Sequence, residues 1–113
     1  MEVTSEPINN EYFYSKYGSF KIVVMTSNGY INATKLCKDY NKKLDNWLHN
    51  ESSKKIIYDL RFGTKIKPMI KITSGNPDIR GTYVHQTLIV HIAQWVNPIV
   101  ANKVKLIIEK KIT

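Results

Sequence analysis

The apolar residues of this chain change their spacing three times, and that alternation limits the fold more than any single motif does. Aromatic and β-branched residues crowd positions 12–17 and 20–25, a composition suited to strands. From 33 to 60 the apolar positions recur every three or four residues, as on one face of a helix. Residues 66–84 return to alternation, and 88–112 return to the helical spacing. Blocks this short must bury their apolar faces against one another, which predicts an α+β domain with its hairpins and helices sharing one interior. At 113 residues there is material for one such domain.

The punctuation divides the blocks into elements. Residues 1–10 hold Pro7 and no sustained period, so they read as an irregular lead-in, and 1–19 is set apart from a domain at 20–113. Ser27-Asn28-Gly29 supplies a hairpin turn, after which Tyr30-Ile31 pairs back on the strand before it. Asn32 or Thr34 can cap a helix over 33–40, with Ala33, Leu36, Cys37 and Tyr40 facing inward and Lys35, Lys38 and Asp39 outward. Beyond the basic turn Asn41-Lys42-Lys43, Leu44, Trp47 and Leu48 mark a short helix that Asn50 ends. A third helix opens at Glu51-Ser52-Ser53, buries Ile56, Ile57 and Leu60, and stops at Gly63.

Residues 66–72 alternate apolar with basic, and Pro68 confines that strand to a sheet edge. Residues 73–78 form a polar loop, and 79–84 return as the partner strand, giving a basic hairpin. Leu88, Ile92, Trp95 and Ile99 mark one further helix. Val104, Ile107, Ile108 and Ile112 mark another, with Pro98 in its first turn and Asn97 as its cap.

Charge then narrows the function. Seventeen Lys and Arg against nine Asp and Glu leave +8, which favours an anionic partner. The excess is local: residues 31–71 carry +6 and 103–113 carry +3, while 1–30 carry −1 and 72–102 are neutral. The single thiol, Cys37, cannot close an internal disulfide or build a zinc ribbon, and it falls on an apolar stripe where a buried, inert sulfur is expected. His85 and His91 are six apart, unsuited to a zinc motif or one helical face, and the five glycines are isolated in turns rather than forming a phosphate loop. No catalytic residue, metal or cofactor is therefore expected. Neither a leader nor a bilayer-spanning run is apparent, so no membrane partner is expected either. Trp47 and Trp95 lie within apolar stripes and are expected to pack in the core.

What remains is a basic surface. Lys42, Lys43, Asn46, His49, Asn50, Ser52, Ser53, Lys54 and Lys55 cluster where two short helices meet, offering cations for phosphates and amides for base edges. Lys65, Lys67, Lys71, Asn76 and Arg80 place a second set of donors on the hairpin. A helix beside a basic hairpin is the arrangement of a winged helix-turn-helix.

The ordered series Gly29-Tyr30-Ile31-Asn32-Ala33-Thr34-Lys35-Leu36-Cys37, Trp47-Leu48, Gly81-Thr82-Tyr83-Val84-His85 and Ala93-Gln94-Trp95-Val96 resembles the KilA-N domain of large DNA viruses and phages. That domain is similar to the DNA-binding APSES domain of fungal transcription factors. The resemblance covers about 20–112 and implies a nucleic-acid-binding α+β module with a hairpin wing, not an enzyme. Poxviral members can carry a C-terminal RING domain with ubiquitin-ligase activity, but this chain has no cysteine–histidine cluster to which that activity could be carried over. Gln86 stands where many relatives have proline.

The resulting expectation is a viral domain that binds double-stranded DNA mainly through phosphates, inside the host cell, in the cytoplasm if poxvirus-like or in the nucleus. Two alternatives fit the same residues: binding of RNA or single-stranded DNA, and a protein-interaction module of a host-range factor that forms a homodimer through its C-terminal helix. Asn32 reads as architectural, tying a strand end to a helix.

Overall fold

The computed structural model describes residues 2–112, the side chains of residues 111 and 112 excepted. Its strands are β1 (Val3–Pro7), β2 (Tyr12–Tyr17), β3 (Phe20–Met25), β4 (Ile31–Asn32), β5 (Met69–Ile72) and β6 (Gly81–Val84). Its helices are α1 (Ala33–Asp39), α2 (Leu44–Leu48), α3 (Glu51–Thr64), α4 (Gln86–Val96) and α5 (Pro98–Ile112), with a 3-10 turn at Pro77–Ile79. The α+β class and the hairpin–helices–hairpin–helices order agree with the sequence.

The two hairpins, however, are one sheet. Its order is β1-β2-β3-β4-β6-β5 and every pairing is antiparallel. The join is β4 on β6, where Ile31 faces Val84 and Asn32 faces Tyr83. Pro68 precedes β5, which forms the sheet edge as its sequence predicts. The lead-in expected to be irregular contains β1, which pairs along its whole length with β2. Its polar side chains hide this from a periodicity reading, because the strand is held by backbone hydrogen bonds and a Lys16–Glu6 ion pair, not by an apolar face.

Alternation along β3 sends side chains into two interiors. Ile22 and Val24 join Ile31, Val84 and the helices, while Val23 and Met25 join Tyr12, Tyr30, Ile79 and Tyr83 on the opposite face. The larger interior receives Leu36 and Cys37 from α1, Leu44 and Trp47 from α2, Leu88, Ile89, Ile92 and Ala93 from α4, and Val100, Ala101, Val104 and Ile107 from α5. The apolar stripe of α5, considered above as a dimer seam, thus lies inside its own domain and leaves Ile99 and Leu106 as its exposed large apolar side chains among the described residues. Tyr40, expected on the inward stripe of α1, is instead the C-cap residue and is exposed. Helix α3 docks more lightly than expected: Leu60 is buried, while Ile56 and Ile57 are half-buried.

Asn32 ties these parts together. Its Oδ1 caps α1 by accepting from the Lys35 N–H at 3.0 Å, and its Nδ2 donates to the Arg80 carbonyl at 2.9 Å, 48 residues away. A side chain 1% exposed therefore fixes a strand end, a helix start and the loop end of the basic hairpin. Gly81 makes room for it: its φ is +143°, and a Cβ there would come within 2.5 Å of Asn32 Oδ1.

Gly81→Ala is expected to lower stability by about 2 kcal/mol or more through backbone strain and crowding. Gly63→Ala, with no atom near the added carbon, is expected to raise it by about 0.5–1 kcal/mol, having a helical position and no crowding. Trp47→Ala is expected to cost about 3–5 kcal/mol. Urea unfolding of the three variants checks these signs, and an unchanged midpoint for Gly81→Ala would contradict the Asn32 junction.

Candidate nucleic-acid interface

Two local rules and one tertiary contact bring lysines from distant parts of the chain to one place. First, α1 ends in a Schellman turn: Asn41 takes a left-handed φ of 58° and donates to the Lys38 carbonyl at 3.1 Å, and Lys42 N–H donates to the Cys37 carbonyl at 2.9 Å. The turn projects Lys42 across the Trp95 ring, with Nζ 5.0 Å from the ring centre. Second, alternation in β5 puts Ile70 and Ile72 toward the smaller interior and Met69 toward the helix side, so Lys71 emerges on the helix side as well. Third, Thr82, which pairs with Lys71, donates its N–H to Thr34 Oγ1 of α1 at 2.9 Å and holds that edge against the helix.

The result is an open groove of about 510 Å³ between α1, the start of α2 and the β5–β6 hairpin. Thr34, Lys38, Lys42, Lys43, Leu44, Asp45, Lys71, Gly81 and Thr82 line it. Four lysines and one aspartate are among its lining residues, so the groove presents a net positive charge to solvent.

Of the residues expected at the interface, Lys42, Lys43 and Lys71 meet in this groove. Asn46 is exposed on α2, and Asn50 is exposed as the N-cap of α3 without a side-chain capping bond. Lys65 caps the end of α3 with a left-handed φ of 60°, and Lys67 is exposed just before β5. At the hairpin tip, Asn76 Oδ1 accepts from the Asp78 N–H at 2.9 Å, and Arg80 Nε donates to the Gly75 carbonyl at 2.8 Å, so both side chains also shape the loop. Lys54 and Lys55 are exposed on α3 and pair with Glu51 at 3.5 Å and Asp59 at 3.2 Å.

Ser53 is a correction. It is 1% exposed and lies on the packed side of α3 with Leu60, so its hydroxyl cannot meet a ligand at the surface. Sequence reasoning also missed Lys38, Thr34 and Thr82 as groove residues. Lys38 could have been found: it precedes Lys42 by four on the outward side of α1. Thr34 and Thr82 meet only through the tertiary fold.

Trp47 is buried as expected, whereas Trp95 is half-buried beneath Lys42. Cys37 is fully enclosed, and burial pushes its thiol up to about 11, with nearby Lys42 opposing that shift. Burial likewise raises the Tyr83 hydroxyl, which donates to the Ile79 carbonyl at 2.7 Å. Among the described residues no three His, Cys, Asp or Glu side chains stand together as a metal site, and no helix is long and apolar enough to cross a membrane.

The model of the KilA-N domain family matches residues 15–113. The putative KilA-N domain-containing protein R878 of Acanthamoeba polyphaga mimivirus is 40% identical over 114 residues, covering 93% of this chain and 32% of that protein. Uncharacterized protein FPV248 of fowlpox virus (strain NVSL) is 32% identical over 111 residues, covering 92% of this chain and 74% of its own length. The chain thus spans about a third of the mimivirus relative and about three-quarters of the fowlpox one. Among solved structures, the DNA complex of PCG2 superposes with a TM-score of 0.59 at 16% identity, covering 96% of this chain and 88% of that one. MBP1 from Saccharomyces cerevisiae superposes with a TM-score of 0.55, also at 16% identity, covering 93% and 97%. At that identity the likeness is one of fold.

The enclosed thiol provides a check on how α1 is packed. Native Cys37 is expected to resist iodoacetamide at about pH 8 and to react fully in urea, since only the exposed thiolate is nucleophilic. Because the folded thiol is raised from 9.0 to about 11, the unfolded chain ionises first; stability is complete below pH 9.0 and declines as pH rises toward 11. Tyr83 acts with the same sign. Melting curves across that window measure the decline.

Proposed function

The chain belongs to the KilA-N domain family, and on that premise we propose that it is a DNA-binding domain of a viral protein acting in the host cell, holding duplex DNA mainly through its phosphates. The observation that carries this reading is the groove lined by Lys38, Lys42, Lys43 and Lys71 with a single acidic residue, Asp45. Four basic side chains along one groove attract a polyanion, which releases its counterions when laid across them. PCG2, which shares the fold, was solved as a DNA complex.

In this reading Lys42, Lys43 and Lys71 grip one stretch of backbone, while Lys54, Lys55, Lys65, Lys67 and Arg80 supply flanking charge. Asn46 and Asn50 face base edges from the α2–α3 junction. Asn76 contributes its amide NH2 from the wing, its Oδ1 being engaged by Asp78 N–H. The unit is assigned to residues 20–113, which hold all of these side chains, with 1–19 extending its sheet. The role is one of binding, with no reaction assigned. A homodimer seam on α5 is disfavoured, because the apolar stripe that would build it packs inside the domain.

If about five phosphates are neutralised, log affinity for duplex DNA is expected to fall against log salt with a slope of roughly −4 to −5. Fluorescence anisotropy across salt concentrations measures this, and salt-independent binding would overturn the reading. The pair Lys42→Glu and Lys71→Glu is expected to weaken duplex binding by about tenfold or more while the circular dichroism melt is retained.

A further inference from the structure

We infer that the outer face of α3 is a second nucleic-acid surface, one that takes single strands by stacking unpaired bases on Tyr58 and Phe62. These two rings are 63% and 62% exposed, and no other aromatic side chain among the described residues is comparably bare. They touch each other at a centroid distance of 4.7 Å with planes tilted by 45°, as residues four apart on a helix can. Ser53 and Leu60 bury the opposite side of the helix.

Helical geometry places Lys54, Lys55 and Arg61 within the same arc as the two rings, about 120° wide, and Lys65 follows at the helix end. The Lys54–Glu51 and Lys55–Asp59 pairs are exposed contacts at helical spacing, weak enough for a phosphate to replace the carboxylate. Among the described residues Arg61 and Lys65 form no ion pair. Ring faces bordered by long cations are what a single strand requires: a π surface for each base and a positive track for its backbone. A protein-docking patch would differ, since its centre is normally depleted of lysine. Duplex DNA would differ too, because its base faces are already stacked and offer the rings nothing to cover.

This surface goes beyond the duplex reading and shares with it Lys54, Lys55 and Lys65, so the test uses the aromatic residues. The probes are oligothymidylate and oligouridylate of about twelve nucleotides, a length within the span of single-strand sites. Both are expected to bind the wild-type domain with similar affinity, because stacking does not read the 2′-hydroxyl. Tyr58→Leu with Phe62→Leu, which keeps apolar bulk, is expected to weaken both probes at least about tenfold and duplex binding by less than about twofold. The groove pair Lys42→Glu and Lys71→Glu is expected to show the reverse. Phe62→Trp is expected to retain binding, with the new indole's emission quenched on adding either probe.

The inference is overturned if the wild-type domain binds neither single strand, or if the leucine pair binds them as tightly as wild type. Should the leucine pair unfold, the Phe62→Trp variant decides, and unquenched emission at saturation overturns the inference. A wild-type domain that binds the single strands but not duplex DNA would overturn the groove reading and leave this one standing.

Discussion

Asn32 has both ends of its amide engaged inside the protein, one on the first turn of α1 and the other on the Arg80 carbonyl at the loop end of the wing. A buried amide left unpaired would cost more than either bond contributes when made, so the two contacts are conditional on each other. That condition fixes where β6 lies. With Asn32 opposite Tyr83, β6 must run beside β4, and the wing becomes a continuation of the sheet rather than a free arm. The Tyr30 hydroxyl donating to the Lys67 carbonyl at 2.5 Å and the His85 N–H donating to the Pro68 carbonyl at 3.0 Å secure the root of the wing. Every cation on the hairpin inherits its position from these few hydrogen bonds.

The electrostatics follow from that rigidity. Four lysines lining one groove would splay apart on a flexible scaffold, lowering their combined field. Here Lys42 leaves a fixed turn and rests over Trp95, and Lys71 stands on a strand whose partner residue, Thr82, is bonded to α1. The field is held in place before any ligand arrives, which reduces the ordering that binding must impose. The +8 net charge alone is compatible with any polyanion; the groove gives part of that charge a shape.

Much of this was legible in the sequence, and the limits have physical causes. The cap at Asn32, the inward stripe of Ala33, Leu36 and Cys37, the short helix around Trp47, the edge strand after Pro68 and the cap at Asn97 all follow from local rules that act over three or four residues. Strand β1 was hidden because Val3–Pro7 has a polar sequence and is specified by its partner's backbone. Ser53 looked like a surface donor because small hydroxyls are common near helix starts, but a small side chain also fits where a helix packs closely, and that is its environment. The groove was half visible. Lys42 and Lys43 announce themselves as a basic turn, whereas their approach to Lys71 depends on the β4–β6 pairing, a contact about 50 residues long in sequence that no local period encodes.

Helix α3 completes the contrast between a braced surface and an open one. It is held at its ends and along a narrow strip, with Asn50 leading in, a left-handed Lys65 leading out, and Leu60 and Ser53 as its buried side chains. A helix so lightly embedded can carry residues that core packing does not dictate, and that freedom is visible in its outer face, where Tyr58 and Phe62 lie against each other in water. The aromatic pair contributes little to the interior, since Leu60, Ile56 and Ile57 already supply the helix's docking face. In the proposed reading, the groove suits a rigid array of phosphates because Lys42 and Lys71 leave a fixed turn and a paired strand. The α3 face offers exposed cations and bare rings, a combination matched to a strand whose bases can turn to meet them.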